Sequence, residues 1–156
     1  MRFRIVPYET RHSEDFFRIN AEWICKYFSL EPEDERVLRN PQTSILDLGG
    51  VILMAELEES EKCIGAVSLL YRAPGVFELS KMGVSPEAQG KGAGRALVGA
   101  AIDAFKEMDA SELFLETHSV LSPAIRLYES FGFEKQSGPR PGSPYARADV
   151  YMIWRS

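Results

Sequence analysis

Histidine and cysteine are scarce in this chain, two of each among 156 residues. His12, Cys25, Cys63 and His118 are scattered, and neither cysteine has a Cys, His or Asp partner at the spacing of a metal-ligand set. Both thiols therefore read as small buried hydrophobes, and two isolated thiols suit a reducing compartment. A nucleophilic Cys-His or Ser-His constellation is missing as well. Cations are in deficit, 18 Lys and Arg against 23 Asp and Glu for a net charge of −5. That argues against non-specific nucleic-acid binding, which rests on clustered basic residues. No apolar run reaches the roughly 18 residues of a membrane span. The start, Met1-Arg2-Phe3-Arg4-Ile5, turns polar too soon for a signal peptide. Repeats, low-complexity tracts and long linkers are absent too. One soluble, cytoplasmic domain over residues 1–156 is the expectation, with length enough for a substantial core.

What is present alternates between two periods. Residues 2–6 alternate polar and apolar before Pro7 and read as a strand. From Glu14 to Leu30, Phe16, Ile19, Trp23, Ile24, Tyr27 and Phe28 recur every three or four residues, the mark of an amphipathic helix. The charge run Glu31–Arg36, broken by Pro32, reads as a solvated turn opening a short helix, which Asn40-Pro41 ends. Val51–Leu57 and Cys63–Tyr71 are strand-like, with the polar stretch Glu58–Lys62 as the hairpin turn. After the turn at Ala73-Pro74-Gly75, Val76–Val84 is a further strand.

A long helix follows with apolar face Ala93, Ala96, Leu97, Ala100, Ala101, Ala104, Phe105 and Met108. Leu113–Thr117 is a short strand. Ser122-Pro123 then reads as an N-cap with proline at the first helical position, and Gly132 caps the other end. Pro139–Pro144 is a loop, and Ala148–Trp154 a last strand. Strands before, between and after helices imply a mixed sheet.

Chemistry concentrates in Gln89-Gly90-Lys91-Gly92-Ala93-Gly94-Arg95, between a strand and a helix. Glycines let backbone N–H groups approach an anion closely, and the helix points its positive end at the same place. Lys91 and Arg95 add full charges. The segment describes a cradle for phosphate or pyrophosphate, although a plain flexible turn has the same composition. It lacks the Gly-Lys-Ser/Thr ending of a P-loop and the Rossmann glycine spacing.

Gln89, Gly92 and Gly94 match Gln/Arg-x-x-Gly-x-Gly/Ala, and Leu127-Tyr128 with Gly132-Phe133 sit on a helix behind a strand. In these motifs the sequence resembles the GCN5-related N-acetyltransferase (GNAT) superfamily, strongly over residues 76–134. The resemblance implies an α+β three-layer fold. Its central sheet is mixed and mostly antiparallel, flanked by helices, with a splayed parallel strand pair that binds coenzyme A. It implies acetyl-CoA as co-substrate, no metal, and direct attack by an amine in a ternary complex.

Pantetheine would pair with the backbone of Met82, Gly83 and Val84, and pyrophosphate would lie over Gln89, Gly90, Lys91, Gly92, Ala93, Gly94 and Arg95. A backbone N–H near Met82 would serve the thioester oxygen, and Gly83 would mark a bulge. Tyr128 is the expected general acid and a cofactor contact, unless it only packs beside Leu127.

Glu78 is the expected base; its alternative is a surface carboxylate beside Ser80. Glu116 ranks below it, because Leu113 and Leu115 turn its face from the core. Where many relatives carry a cofactor-contacting asparagine, seven residues before the tyrosine, this chain has Leu121. His118 fits either a base or a solvent-facing loop residue, and His12 receives no role.

Trp23 and Tyr27, one turn apart, with Glu78 would bind an amine acceptor, or else form the core stripe of their helix. Pro139–Arg147 fits a lid or an ordinary connection. Homodimers are common in such a family, but nothing in the sequence marks an interface. A non-catalytic acyl-CoA-binding sensor is the alternative to the enzyme.

Overall fold

The computed structural model describes residues 1–155. In chain order the elements are β1 (Phe3–Pro7), α1 (Ser13–Tyr27), α2 (Pro32–Arg39), α3 (Pro41–Ser44), β2 (Val51–Leu57), β3 (Cys63–Ala73) and β4 (Val76–Val84). Then follow α4 (Ala93–Lys106), β5 (Glu112–Thr117), α5 (Ser122–Ser130), β6 (Phe133–Lys135) and β7 (Val150–Trp154). One seven-stranded sheet runs in the order β1-β2-β3-β4-β5-β7-β6. Its β4–β5 pair is parallel and its other ladders antiparallel. The α+β three-layer expectation holds.

Strand β3 is buried without interruption from Cys63 to Leu70, as a strand covered on both faces must be. On one face Ile64, Val67 and Leu69 pack with Leu97, Val98, Ala101 and Ile102 of α4 and with Ile125 and Tyr128 of α5. On the other, Ala66 and Leu70 meet Phe16, Ile19 and Ile24 of α1 and Val37 and Leu38 of α2. The buried stripe of α4 is rotated from the expected one: Val98 and Ile102 are inside, while Ala96, Ala100 and Ala104 are half-buried.

Four local expectations need correction. Ser122 is the first residue of α5 rather than its cap; Leu121 precedes the helix and no side chain caps it. Cys25 is exposed, and only Cys63 is buried. The three-residue strand β6 falls where no alternation is long enough to register. Most consequential is the charge run. Glu31 and Asp34 form a reciprocal cap around Pro32, with Glu31 N–H donating to Asp34 Oδ2 at 2.8 Å. Asp34 is therefore turned inward and fully buried, where a solvated turn was expected. Gly132 caps α5 as anticipated, with φ of +104° and its N–H donating to Glu129 O.

Candidate active site

Parallel pairing of β4 with β5 stops after three residues, Val76–Glu78 against Glu112–Phe114. Beyond that point a cavity of about 490 Å³ opens, lined by Leu79–Val84 of β4 and by Leu115–Thr117 at the end of β5. Splayed parallel strands leave backbone donors and acceptors facing each other across a gap that an extended ligand can fill.

The β3–β4 register gains one residue here. Ala66 lies opposite Gly83 but Ser68 opposite Ser80, and Lys81 takes φ of +50°. The bulge thus sits at Lys81-Met82 rather than at Gly83. Gly83 answers a different need: a Cβ there would lie 2.5 Å from Trp23 Cδ1 and 2.9 Å from its Nε1. The indole is held in turn by Asn20, which accepts from Trp23 Nε1 at 3.1 Å and donates to Phe16 O at 3.0 Å.

At one end of the cavity Gln89 donates through Nε2 to Val84 O at 3.2 Å, tying the loop to the strand. Gly90 and Gly92 adopt φ of +78° and +90° with open space beside them, a conformation other residues resist. Ala93 begins α4, so the unpaired amides of its first turn face this end. Gln89, Gly90, Ala93 and Gly94 line the cavity. Lys91, Gly92 and Arg95 do not; Arg95 instead stacks over the Phe131 ring and reaches Ser130. The open, amide-rich loop fits a pyrophosphate, and the splay fits a pantetheine arm.

Tyr128 projects from α5 into the same cavity, 7 % exposed. Burial pushes its phenol up to about 12, with no hydrogen-bonding side chain to offset it. Leu121 lines the wall where an asparagine is usual. His118 lies at the rim, its ring 5.1 Å from that of Phe28, with Nδ1 accepting from Val120 N–H.

The two carboxylates differ sharply. Glu78 is buried, not at the surface, and accepts from Arg72 Nε at 2.7 Å. Glu116 lines the cavity with both oxygens buried and without a hydrogen-bond partner among the described residues. Leu113 and Leu115 do pack toward α4, but the opposite face of β5 is roofed rather than solvated, which overturns the expectation for Glu116. Burial raises its pKa and the Glu78 charge adds to this, while the Ser143 hydroxyl and the Arg140 and Arg72 charges oppose it.

That roof is an ion cluster no local pattern announced. Lys81 Nζ donates to Asp34 Oδ1 at 2.7 Å and to Tyr145 Oη at 3.1 Å. Arg147 grips Asp34 through Nη1 at 2.6 Å and Nη2 at 2.8 Å. Ala146 N–H donates to Glu31 Oε1 at 2.7 Å. Burial alone would raise the Asp34 pKa, yet Arg147 and Lys81 overcome it and hold the carboxyl at about 2. The end of the Pro139–Arg147 segment is thereby strapped to α2 and the β4 bulge. The sequence signals, unread, were a lysine inside an apolar strand and a Tyr-Ala-Arg closing a proline-rich loop. Trp23 and Tyr27 both line the cavity, and Tyr27 is 48 % exposed, so it is no core residue.

Away from the cavity, His12, Glu56 and Cys63 are buried together, with ligand atoms within 4.8 Å of one another. His12 Nδ1 accepts from Glu9 N–H at 2.8 Å, which leaves Nε2 to donate to Glu56 Oε2 at 2.6 Å. Burial and the nearby acids push the Cys63 thiol up to about 12. An imidazole engaged at both nitrogens beside a neutral thiol is a structural unit, not a set of free ligands.

A splayed parallel pair, a glycine loop opening α4 and a buried tyrosine between them form a cleft suited to an extended anionic ligand. The acetyltransferase (GNAT) family model matches residues 16–133, and the chain belongs to this family. An uncharacterised N-acetyltransferase of Schizosaccharomyces pombe is 31% identical over 87% of this chain and 88% of its own length. A mycothiol acetyltransferase of Kocuria rhizophila is 29% identical over 85% of this chain, which spans about half (46%) of that relative.

Among solved structures, a GNAT-family acetyltransferase of Staphylococcus aureus superimposes with a TM-score of 0.87 at 18% identity, covering 98% of each chain. The PaiA N-acetyltransferase of Thermoplasma acidophilum, in complex with coenzyme A, gives 0.73 at 21% identity over all of both chains. Among the described residues no helix is long and apolar enough to cross a membrane.

Proposed function

We propose that the chain is a single-domain N-acetyltransferase that moves an acetyl group from acetyl-CoA to an amine by direct attack. One observation carries the assignment of roles. Glu116, whose buried carboxylate lacks a partner among the described residues, and Tyr128 line one cavity, behind a loop suited to pyrophosphate. Met82, Gly83 and Val84 would hold the pantetheine arm through their backbone. Gln89 to Gly94 would hold the pyrophosphate, and Lys91 and Arg95 would add positive charge at the solvent side. Acetyl-CoA supplies an acyl group activated as a thioester. A backbone N–H near Met82 donates to the thioester oxygen as it gains charge.

Glu116 takes the proton the attacking nitrogen sheds, directly or through water. Its raised pKa lies nearer the operating pH than that of an ordinary carboxylate, which favours a base. Glu78, held by Arg72, acts as a positioning group in the acceptor wall instead of as the base. Tyr128 donates to the sulfur as the C–S bond breaks. The burial that pushes the phenol up to about 12 also penalises a thiolate in the same cavity, so donation still relieves the developing charge.

Trp23 and Tyr27 form the acceptor wall. Side chains supply both proton transfers, so the chemistry needs no metal. The acidic net charge of −5 suits a small-molecule partner better than nucleic acid. The reading keeps the protein in the cytoplasm, with a homodimer open to it.

Glu116→Gln tests the assignment. Turnover should fall by about 10² to 10⁴ and the acidic limb of the pH–rate profile should vanish, with acetyl-CoA affinity unchanged. Glu78→Gln should keep that limb. An unaltered profile in the Glu116 variant would remove it as the base.

A further inference from the structure

Four carboxylate, ammonium or guanidinium side chains line the cavity: Glu78, Lys81, Glu116 and Arg147. Three are already matched. Lys81 and Arg147 both spend their charge on Asp34, Arg147 also reaches Glu31, and Glu78 is neutralised by Arg72. Glu116 alone has no ion pair and no hydrogen bond of ordinary length among the described residues, the Ser143 hydroxyl and Arg140 being its near polar neighbours. An unmatched buried carboxylate is costly until a cation arrives. Around it the wall is aromatic, with Trp23, Tyr27 and Phe28 on the cavity surface. The indole N–H of Trp23 is turned away to Asn20, so its ring offers apolar surface.

We infer that the acceptor is a small monoamine. It carries one ammonium group on an apolar, aromatic body, and no carboxylate or second ammonium near the reacting nitrogen. The inference rests on the acetyl-transfer reading and deepens it. The ammonium pairs with Glu116, gives it one proton and attacks as the free amine. The nitrogen forms its bond to the acetyl carbon, the C–S bond breaks, the sulfur takes the Tyr128 proton, and the second proton shed by the nitrogen passes through water to restore the phenol.

An α-carboxylate beside that nitrogen would sit near Glu116 and Glu78, and the two cations lining the cavity would have to abandon Asp34. Neither is free to do so cheaply, with Lys81 Nζ 2.7 Å and Arg147 Nη1 2.6 Å from the buried Asp34 carboxylate. A second ammonium would need a second unmatched acid, and Glu78 is held at 2.7 Å by Arg72.

Size is limited by the strap. Arg140 lies 4.1 Å over the Phe114 ring on β5, and Tyr145 reaches Lys81 on β4. Ala146 is bonded to Glu31 at the start of α2. A segment crossing this face from β5 to α2 stands in the way of a polypeptide lying along it.

The test is a kinetic panel on the intact chain with acetyl-CoA: 2-phenylethylamine, phenylalanine, spermidine, and a peptide amide beginning with phenylalanine. Thermal stabilisation by acetyl-CoA, measured first, establishes that the cavity is loaded. The expected result is a kcat/KM for 2-phenylethylamine at least about tenfold above each of the others, the scale of one unmatched charge contact. In Asp34→Asn, Lys81 and Arg147 are released, so the preference for 2-phenylethylamine over phenylalanine should narrow by about tenfold. Efficient acetylation of phenylalanine, spermidine or the peptide by the unaltered chain would overturn the monoamine inference and leave acetyl transfer standing. If acetyl-CoA binds and no amine is acetylated, the transfer reading falls and takes the inference with it.

Discussion

Asp34→Asn is the most informative single perturbation, because one carboxylate organises the acceptor side of the cavity. Asp34 is 0% exposed and accepts from Lys81 Nζ, both terminal nitrogens of Arg147 and the Glu31 N–H. Asparagine keeps the shape and one oxygen but removes the charge, stranding a buried ammonium. Deleting one partner of a buried pair costs about 3–5 kcal/mol. Lys81 can escape part of that by releasing its proton, and Arg147 is partly solvated, so the lower end applies, about 3 kcal/mol. For a chain of this length each kcal/mol lowers Tm by about 2–4 °C, giving a loss of about 6–12 °C by calorimetry.

Glu35→Gln on the same helix is the control, since its pair with Arg39 is exposed and worth under about 1 kcal/mol. Adding Lys81→Met to Asp34→Asn should recover much of the loss, because no stranded charge remains. Asp34 releases its proton at about 2 in the fold against an ordinary 3.8. Its stabilisation is therefore complete above pH 4 and drains as the pH falls through 2, a loss on the order of 2 kcal/mol that the asparagine variant should lack. A Tm change in Asp34→Asn no larger than in the Glu35 control would refute the view that this cluster holds the strap.

Two further substitutions probe the cavity itself. Tyr128→Phe should lower kcat by about 10² to 10⁴ while acetyl-CoA still stabilises the protein as before; unchanged turnover would reduce Tyr128 to packing. Gly83→Ala puts a methyl 2.5 Å from the Trp23 ring, and such overpacking costs about 1–3 kcal/mol. Urea unfolding should show that loss together with a raised KM for the amine. A neutral result would mean that the indole swings away freely.

Local chemistry wrote much of this molecule openly. The period change at Glu14, the hairpin at Glu58–Lys62 and the helix end at Gly132 each depend on residues a few positions apart. The glycine loop from Gln89 to Gly94 was equally legible, because backbone freedom and a following helix are local properties. Its match to a known motif, with Leu127-Tyr128 and Gly132-Phe133 behind it, was enough to point to the family.

The acceptor side was another matter. Lys81 meets Asp34 across 47 residues of sequence, and Arg147 meets it across 113. No periodicity or spacing records such pairs. Strand phase misled for a related reason: Leu113 and Leu115 do mark the inner face of β5, but whether Glu116 on the other face meets water depends on what crosses above it. Glu78 looked like the freer carboxylate and proved to be the paired one. A sequence reports the conformation a short segment prefers. Which charges are matched is decided only when distant segments are brought together and water is excluded, since it is desolvation that turns a pairing into an energy.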